Sequence, residues 1–263
     1  MKYQTPIVIN NMKGAKGPIV CKAFADGCGA KIFEPTGHAE NVAIYGVLRG
    51  SGRYLKESSV CWYMDHGYFG KRSERLGSEY WRITKNKIIH SGDGDHSWDR
   101  FNKFDFKLKD WRKNGKFIIV IPPSPAFEKG LGMNNWLVST LTTLKKNTDR
   151  PIVICKKTKY SNFSLSPDVY KISEIEQEFR NMKYTEAIKD AWVVVTFHSN
   201  AANLALIDGV PVIQNCEAHP IGTLENIESP ILDREFLKNL AYNQWTLEEM
   251  RSGQAWEELN QWG

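Results

Sequence analysis

Three polar residues follow an apolar segment at a place where an α/β protein can bind a ligand. The valine-rich segment Trp192–Thr196 predicts a buried strand, and His198, Ser199 and Asn200 come directly after it, before a short predicted helix that Asn200 is expected to cap. Ligands of open α/β sheets bind outside the carboxyl ends of the strands, and amide groups at a helix N-terminus attract anions. An imidazole, a hydroxyl and an amide at this position suit a diphosphate group. The alternative interpretation is that these residues only close the turn.

Four further polar residues follow predicted strands of the same half of the chain, and they are Ser124, Lys156, Lys157 and Glu217. Ser124 lies in the proline-rich segment Ile121–Ala126, which ends a predicted buried strand, and it would point into the same crevice if that strand neighbours Trp192–Thr196. One of the two lysines is expected to contact the anion, and Glu217 is placed to accept hydrogen bonds from a ribose. Two alternatives remain open, because prolines also simply end strands and Glu217 could be an ordinary exposed residue.

Asp65 and His66 provide a second candidate site in the first half of the chain. They follow the apolar segment Val60–Met64, again at the carboxyl end of a predicted strand. A carboxylate or an imidazole at such a place could accept a proton from an attacking hydroxyl group. The alternative is a strand end that is capped by Asp65, with His66 at the surface.

Other candidate motifs are weaker. Five metal-ligating side chains fall in one glycine-broken segment without helical or strand spacing, so we expect no metal site from His90, Asp93, Asp95, His96 and Asp99. The segment Gly14–Gly17 lacks the full phosphate-loop pattern, which gives no indication of ATP-dependent chemistry.

The elements that must position these residues alternate between strands and helices. In the second half we predict strands at Phe117–Ile121, Pro151–Cys155, Trp192–Thr196 and Val210–Ile213, with helices at Asn134–Lys146 and Ser173–Asp190. In the first half we predict strands at Pro6–Ile9, Ala30–Phe33, Val42–Leu48 and Val60–Met64, with a helix at Pro18–Asp26. This alternation favours an α/β fold with mostly parallel strands in each half.

The chain is expected to contain two domains and a helical tail. Residues 1–112 form the first α/β domain, residues 113–232 form the second, and residues 233–263 form amphipathic helices that pack across the domains. The tail is assigned from the spacing of its large apolar residues, which are Phe236, Leu237, Leu240, Trp245, Leu247, Met250 and Trp256.

Composition is typical of a folded soluble protein, with 41% hydrophobic and 25% charged residues. The five cysteines are widely spaced and none forms a C-x-x-C pair, so neither a disulfide framework nor a zinc site is indicated. The N-terminal residues lack the apolar stretch of a signal peptide, and no apolar run approaches the roughly 20 residues that span a bilayer. We therefore expect a cytoplasmic protein without a membrane segment.

The net charge of +5 would help the protein to approach phosphates or nucleic acids, although it falls short of that of a dedicated DNA-binding domain. The segment from Lys103 to Lys116 alternates basic residues with Phe104, Phe106 and Trp111. It is interpreted as a solvated basic linker with anchoring aromatic residues, and a nucleic-acid track is the alternative.

The second half of the chain contains a predicted strand followed by His198-Ser199, a short predicted helix and the motif Gly209-x-Pro211-x-Ile213. This pattern resembles the carboxyl-terminal domain of glycosyltransferases with the two-Rossmann architecture called GT-B. It is similar in particular to capsule-polysaccharide transferases and to phage-encoded transferases. The resemblance covers roughly residues 117–217. It implies two Rossmann-like domains facing a cleft, with a nucleotide sugar held in the second domain by His198, Ser199 and Asn200, and with Asp65 as the acceptor-side base.

The resemblance implies a glycosyltransferase that moves a sugar from a nucleoside diphosphate sugar to an acceptor hydroxyl group, without a cofactor or a metal. The favoured acceptor is a hydroxymethylated pyrimidine in double-stranded phage DNA, in which case the protein would act in the host cytoplasm. A surface or capsule glycan is the alternative acceptor. A nucleotide-binding or DNA-binding module without catalytic activity is the alternative from another functional class.

Overall fold

The computed structural model of the protein describes residues 4–9, 16–34, 37–48, 50–70, 79–133, 135–155 and 184–262. The chain forms two compact units. Unit 1 comprises Met1–Asp105 together with Phe236–Gly263, and unit 2 comprises Phe106–Glu235. Unit 1 is therefore built from two separate parts of the sequence, with unit 2 inserted between them.

The sheet of unit 1 is partly parallel and partly antiparallel. Its strands among the described residues are β1 (Ile7–Ile9), β2 (Ile32–Phe33), β3 (Asn41–Tyr45), β4 (Val60–His66), β5 (Tyr80–Lys85) and β10 (Gln244–Thr246), in the spatial order β10-β5-β4-β3-β1-β2. Strands β1 to β4 are parallel to one another. Because the chain runs from β1 outward to β2 and then returns to β3 on the other side of β1, this part has the doubly wound order of Rossmann-like folds.

Two antiparallel strands extend this sheet, and the sequence patterns did not predict them. Strand β5 pairs antiparallel with β4, and β10 pairs antiparallel with β5. The tail is helical as predicted at α8 (Phe236–Tyr242), α9 (Leu247–Arg251) and α10 (Gln254–Trp262), but the prediction of helix at Trp245 was wrong. Trp245 lies in β10 because its indole ring, which is 1% exposed, packs in the core beneath the sheet.

The core of unit 1 lies between this sheet and the helices α1 (Gly17–Cys28), α9 and α10. Pro18 occupies the first turn of α1, and Gly29 ends the helix in the left-handed conformation. Helices α1 and α9 approach so closely that a Cβ atom on Gly27 would lie 1.8 Å from the carbonyl oxygen of Met250. The edge of the Trp256 ring packs on Phe24 and Trp62.

Unit 2 contains a parallel sheet. Its strands among the described residues are β6 (Phe117–Ile121), β7 (Ile152–Ile154), β8 (Ala191–Thr196) and β9 (Val212–Gln214), in the order β7-β6-β8-β9. The doubly wound order of unit 1 is thus repeated. The predicted α/β fold with two Rossmann-like units is confirmed, and each predicted strand of the second half is present within one or two residues at either end.

Helix α5 (Trp136–Asn147) covers one face of the unit 2 sheet with its apolar stripe, including Leu137, Leu141 and Leu144. The other helices among the described residues of unit 2 are α4 (Pro125–Leu131), α6 (Tyr184–Ala187) and α7 (Ala201–Ile207). Most of the predicted helix at residues 173–190 lies outside the described residues. Two further short helices belong to unit 1, and they are α2 (Tyr54–Glu57) and α3 (Asp99–Asn102).

The segment that enters unit 2 packs against the turn between α7 and β9. The Lys109 amide donates to the carbonyl oxygen of Ile207, and the Arg112 amide donates to that of Gly209. Gly209 has a φ of +75°, and a Cβ atom there would lie 2.0 Å from the carbonyl oxygen of Asp110. Glycine is therefore required at position 209 both by the backbone conformation and by the close approach of this segment.

We expect Gly209→Ala to destabilise the protein by about 1–3 kcal/mol more than Gly29→Ala, because overpacking a tight contact has a cost of that order. Both glycines have a positive φ, but a Cβ atom on Gly29 would meet no atom within 4 Å. The Gly29 variant therefore carries the backbone strain without the steric clash. Urea unfolding of the two variants measures the difference, and equal losses of stability would contradict the close approach.

No helix among the described residues is long and apolar enough to cross a membrane. The five cysteines, all of which lie in described parts of the chain, are buried as free thiols.

Candidate functional site

The first group of candidate residues lies at the carboxyl edge of the unit 2 sheet. Strands β6 and β8 are neighbours there, and they flank the position at which the strand order reverses. In doubly wound sheets this reversal opens a crevice that binds ligands. Ser124 follows β6 and His198 follows β8, so these two residues follow neighbouring strands, which is the condition for Ser124 to point into the same crevice as His198. The Ser124 hydroxyl accepts a hydrogen bond from the Phe127 amide and thereby caps α4.

The His198 ring is held by an aromatic residue of α4. It stacks on Phe127 with ring centroids 4.2 Å apart and an interplanar angle of 20°, and the edge of Phe197 packs against it. The imidazole is partly exposed. Stacking on Phe127 fixes the plane of the imidazole ring.

The backbone amides of the turn after β8 are bonded within the turn. The Ser199 amide donates to the Thr196 hydroxyl at 3.3 Å, the Ala201 amide donates to the Ser199 hydroxyl at 3.3 Å, and the Ala202 amide donates to the Ser199 carbonyl at 2.9 Å. The prediction that the amides here face an anion was therefore wrong for these three groups. Asn200 occupies the N-cap position of α7 without a side-chain capping bond, so the predicted cap is also wrong.

Strand β9 contributes Asn215, which sequence patterns missed. Asn215 is exposed at the carboxyl end of the strand, and its Oδ1 atom accepts from the Trp136 indole at 3.2 Å. The Asn215 amide donates to the Thr196 carbonyl, which joins the ends of β8 and β9. Glu217 is exposed two residues farther on. Lys156 and Lys157 lie outside the described residues.

Asp65 lies in a polar network at the carboxyl end of β4 in unit 1. Its Oδ2 atom accepts from the Tyr63 hydroxyl at 2.6 Å and from the Arg82 guanidinium at 3.2 Å, and its Oδ1 atom accepts from the His66 amide at 2.7 Å. Burial by itself would raise the pKa of Asp65, but the Arg82 charge and these hydrogen bonds outweigh it and hold the pKa below its usual range. Asp65 is thus a stabilised anion within an ion pair.

His66 is fixed through both its backbone and its ring. Its backbone amide donates to Asp65 Oδ1 at 2.7 Å, and its carbonyl oxygen accepts a hydrogen bond from the Arg82 guanidinium at 3.2 Å. Its ring stacks on Trp81 with centroids 4.9 Å apart, and its Nδ1 atom lies 3.9 Å from Glu79 Oε2. Lys16 Nζ is 2.8 Å from both carboxylate oxygens of Glu79. The side chain of His66 keeps 30% of its surface exposed.

A buried glutamine from the tail holds the loop that follows His66. The Oε1 atom of Gln244 accepts from the amides of Tyr68 and Phe69 at 2.6 and 2.9 Å, and its Nε2 atom donates back to the Phe69 carbonyl. The Gln244 side chain thereby satisfies backbone groups of Tyr68 and Phe69 that follow the end of β4. The tail of the sequence consequently determines where the chain turns after the candidate base.

The basic segment between Lys103 and Lys116 uses its aromatic rings for packing. Phe104 contacts Phe69 and Tyr80, and the Arg234 guanidinium lies 4.5 Å from the centroid of Trp111. These contacts support its interpretation as a linker with anchoring aromatic residues. Among the residues that the structure describes, no group of three or more His, Cys, Asp or Glu side chains is arranged to hold a metal ion.

Sequence patterns identified His66 but missed its partners. Glu79, Trp81 and Arg82 precede or belong to β5, which did not stand out as a strand. The signal in the sequence was the short alternation of apolar and polar residues at Trp81–Thr84. The antiparallel register places Trp81 opposite His66 and Arg82 opposite Asp65. Each candidate residue at the end of β4 is thus paired with a specific residue across the sheet.

Comparison with known proteins gives similarity at the level of solved structures. No protein-family model matches the chain, and no curated protein sequence matches it. One similar structure is Thermosulfurimonas dismutans KpsC, beta Kdo 2,7 transferase, at 14% identity and a TM-score of 0.48, covering 97% of this chain and 98% of that one. Another is Thermosulfurimonas dismutans KpsC, beta Kdo 2,4 transferase, at 9% identity and a TM-score of 0.45, covering 92% and 91% of the two chains.

Proposed function

We propose that the protein is a glycosyltransferase that uses a nucleoside diphosphate sugar as its donor. Unit 2 binds the donor at the reversal point between β6 and β8, and unit 1 provides the group that accepts a proton from the acceptor hydroxyl. No metal is assigned a role, because the described side chains supply both the proton acceptor and the polar groups for the leaving diphosphate.

One observation carries this proposal: the repeated doubly wound order, with polar residues at the carboxyl edge of each sheet. A doubly wound unit binds nucleotides at its reversal point. In unit 2 that point is marked by the stacked His198 ring and by Ser199. Unit 1 contributes the partly exposed imidazole of His66, and histidine is the most common general base in enzymes. Two such edges in one chain suit a reaction between a nucleotide and a second substrate.

The chemistry assigns different tasks to the two edges. As the acceptor oxygen forms its bond to the anomeric carbon, the bond from that carbon to the diphosphate oxygen breaks, and the diphosphate leaves with the electron pair. His198, Ser199 and Asn200 are the groups proposed to stabilise its negative charge. The proton of the acceptor hydroxyl passes to the group at the end of β4.

The acceptor that we favour is a glycan hydroxyl. The aromatic rings of the basic segment would have to stack on bases in a nucleic-acid track. Phe104 and Trp111 instead engage residues of their own units. A hydroxymethylated pyrimidine in DNA is kept as an outcome of the acceptor test, in which double-stranded DNA and oligosaccharides are compared under equal conditions.

Donor binding is tested by thermal unfolding of the full chain with a panel of nucleoside diphosphate sugars. A ligand at about 100 times its Kd stabilises the folded state by about 2.7 kcal/mol, so one member of the panel should raise the Tm clearly. We expect His198→Ala to remove most of that rise, measured against the Tm of the variant without ligand. The exposed His38 provides a matched control, because His38→Ala should leave the rise unchanged.

Two results would contradict this assignment. If no nucleoside diphosphate sugar raised the Tm, the donor class would be wrong. If the rise were the same with and without the His198 imidazole, the donor would bind elsewhere. Binding without release of nucleoside diphosphate in the presence of either acceptor would favour a module without catalytic activity.

A further inference from the structure

We propose that the side-chain amide of Asn215 binds a phosphate oxygen of the ligand of unit 2. Trp136 is its positioning residue, because it keeps the NH₂ group of that amide turned toward the ligand. Asn215 thus adds an uncharged hydrogen-bond donor to the residues that the sequence predicted after β8. This assignment rests on the proposed function for the identity of the ligand, which is a compound with a diphosphate group.

The orientation of the Asn215 amide is set by an indole group. The Nε1 atom of Trp136 donates to Asn215 Oδ1 at 3.2 Å. An indole nitrogen can only donate a hydrogen bond, whereas an asparagine side chain has an accepting oxygen and a donating NH₂ group. The oxygen must therefore face Trp136, and the NH₂ group points away from the indole.

Trp136 is itself held in place by packing. It is the first residue of α5, is 7% exposed and belongs to the core between α5 and the unit 2 sheet. Its ring contacts that of Phe197 with centroids 6.5 Å apart and an interplanar angle of 75°, and Phe197 in turn packs against His198. The group that orients Asn215 therefore belongs to the same row of rings as His198.

Asn215 lies next to the turn that follows β8. Strands β8 and β9 are neighbours, and the Asn215 backbone amide donates to the Thr196 carbonyl at 3.3 Å. The buried Thr196 hydroxyl donates to the Ile121 carbonyl at 3.0 Å and accepts from the Ser199 amide at 3.3 Å, so Thr196 joins the ends of β6, β8 and β9. Neighbouring strands lie about 4.8 Å apart, which brings a ligand at the turn after β8 within reach of Asn215.

The NH₂ group of Asn215 can donate to a ligand. Of the residues that the structure describes, none accepts a hydrogen bond from Asn215 Nδ2, and Asn215 is exposed. The backbone amides of Ser199, Ala201 and Ala202 differ in this respect, since they are bonded within their own turn. A donor of fixed direction suits a phosphate oxygen, because hydrogen bonds to charged groups are stronger than those between neutral groups.

Asn215→Asp distinguishes a phosphate oxygen from a sugar hydroxyl as the group that Asn215 binds. One oxygen of the aspartate can keep the hydrogen bond from Trp136, and the other places a negative charge where the NH₂ group was. Phosphate oxygens are acceptors and would be repelled by this charge. A hydroxyl group could instead donate to it, so a ligand bound through a hydroxyl would tolerate the aspartate.

The test is a titration of the full chain with inorganic pyrophosphate, followed by ³¹P NMR. We expect Asn215→Ala to weaken binding about 10-fold, in line with the loss of one hydrogen bond to a charged group, and Asn215→Asp to weaken it further. Asn226→Asp, at an exposed position of the same unit, introduces the same charge and should change the affinity less than threefold. Unchanged binding in Asn215→Ala, equal binding by the alanine and aspartate variants, or no binding by the unmodified chain would overturn the inference.

A double-mutant cycle tests the positioning role of Trp136. Trp136→Phe removes the indole N–H group and keeps an aromatic ring against Phe197, so it should weaken pyrophosphate binding about threefold by releasing the Asn215 amide. In the Asn215→Ala background the same replacement should have almost no effect, because residues that act through one another are not additive. An equal loss in both backgrounds would show that Trp136 only shapes the edge of the sheet.

Pyrophosphate separates this inference from the proposed function, because it carries neither a sugar nor a base. If pyrophosphate bound as expected while no nucleoside diphosphate sugar raised the Tm, the role of Asn215 would stand and the donor class would be wrong. If one nucleoside diphosphate sugar raised the Tm equally in Asn215→Ala and in the unmodified chain, the proposed function would stand and the role of Asn215 would be lost. A variant that failed to fold would be recognised from its Tm, and Asn215→Ser would then replace Asn215→Ala with the same expected loss.

Discussion

Replacing His66 with glutamine is expected to lower the rate of sugar transfer by about 10²–10⁴-fold, which is the usual contribution of a general base. Glutamine cannot accept and release a proton, although its size keeps the contact with Trp81. Donor binding should persist, because the groups proposed to hold the diphosphate belong to unit 2. The loss should therefore appear in kcat rather than in the donor Tm shift. The rate of transfer is measured as the release of nucleoside diphosphate, with oligosaccharides as acceptors and with the donor that thermal unfolding identifies.

His38→Gln is the control for this experiment, since His38 is an exposed histidine of the same unit. It should retain full activity. Transfer that survived in His66→Gln within threefold of the unmodified enzyme would rule out His66 as the base.

Replacing Arg82 with methionine is expected to destabilise the protein by about 3 kcal/mol. Removing one member of a buried ion pair leaves the other charge without compensation, at a cost of about 3–5 kcal/mol. We expect the lower value because the Asp65 side chain is 27% exposed. Methionine keeps much of the volume beside Tyr63 and Tyr68, over which the guanidinium now lies. Urea unfolding at neutral pH measures the loss.

The double variant Asp65→Asn with Arg82→Met separates the effect of the uncompensated Asp65 charge from the effect of lost packing. The single amide oxygen of asparagine can keep the hydrogen bond from the His66 amide, and its NH₂ group can donate to the Tyr63 hydroxyl. Because the asparagine leaves no buried anion, the double variant should be more stable than Arg82→Met alone. If the double variant were equally or more destabilised, the loss would come from packing.

The stability of the folded protein is expected to fall with pH in the acidic range. Because the folded-state pKa of Asp65 lies below its unfolded value of about 3.9, the ion pair stabilises the protein above that pH, and this contribution is lost as the pH falls through the folded-state pKa. The unmodified protein should therefore lose stability in that acidic window. The difference between it and Arg82→Met should shrink over the same window.

The parallel parts of the fold could be predicted because their strands are continuous apolar runs. Phe117–Ile121 and Val193–Thr196 are buried on both faces, so the residue types alone identify these strands. Strand β5 carries Arg82 and Thr84 in its interior, and this pattern resembles a loop until its partners are known. β10 is three residues long and follows a helix directly, so its pairing with β5 depends on tertiary packing of Trp245 rather than on local preference.

The candidate site could likewise be predicted from the sequence only in part. His66 and His198 could be found from their positions after apolar strands. The partners of His66 could not, because Lys16 lies 50 positions before it and Gln244 anchors its loop from 175 positions away in the sequence. The sequence predicts that the Ser199 hydroxyl and the nearby amides face a ligand, but in the structure these groups are hydrogen-bonded to one another within the turn. Local spacing indicates where a side chain emerges, whereas its hydrogen-bond partners depend on register.

The divided sequence of unit 1 has a consequence for biosynthesis. Strand β10 and the Gln244 side chain emerge from the ribosome only after every residue of unit 2, whose entry and exit segments are joined by a hydrogen bond from Arg234 to the Lys109 carbonyl. Unit 2 can thus close on itself while the growing sheet of unit 1 still exposes the edge of β5. During that interval the nascent chain presents an unpaired edge, which chaperones or rapid translation of the tail would have to protect.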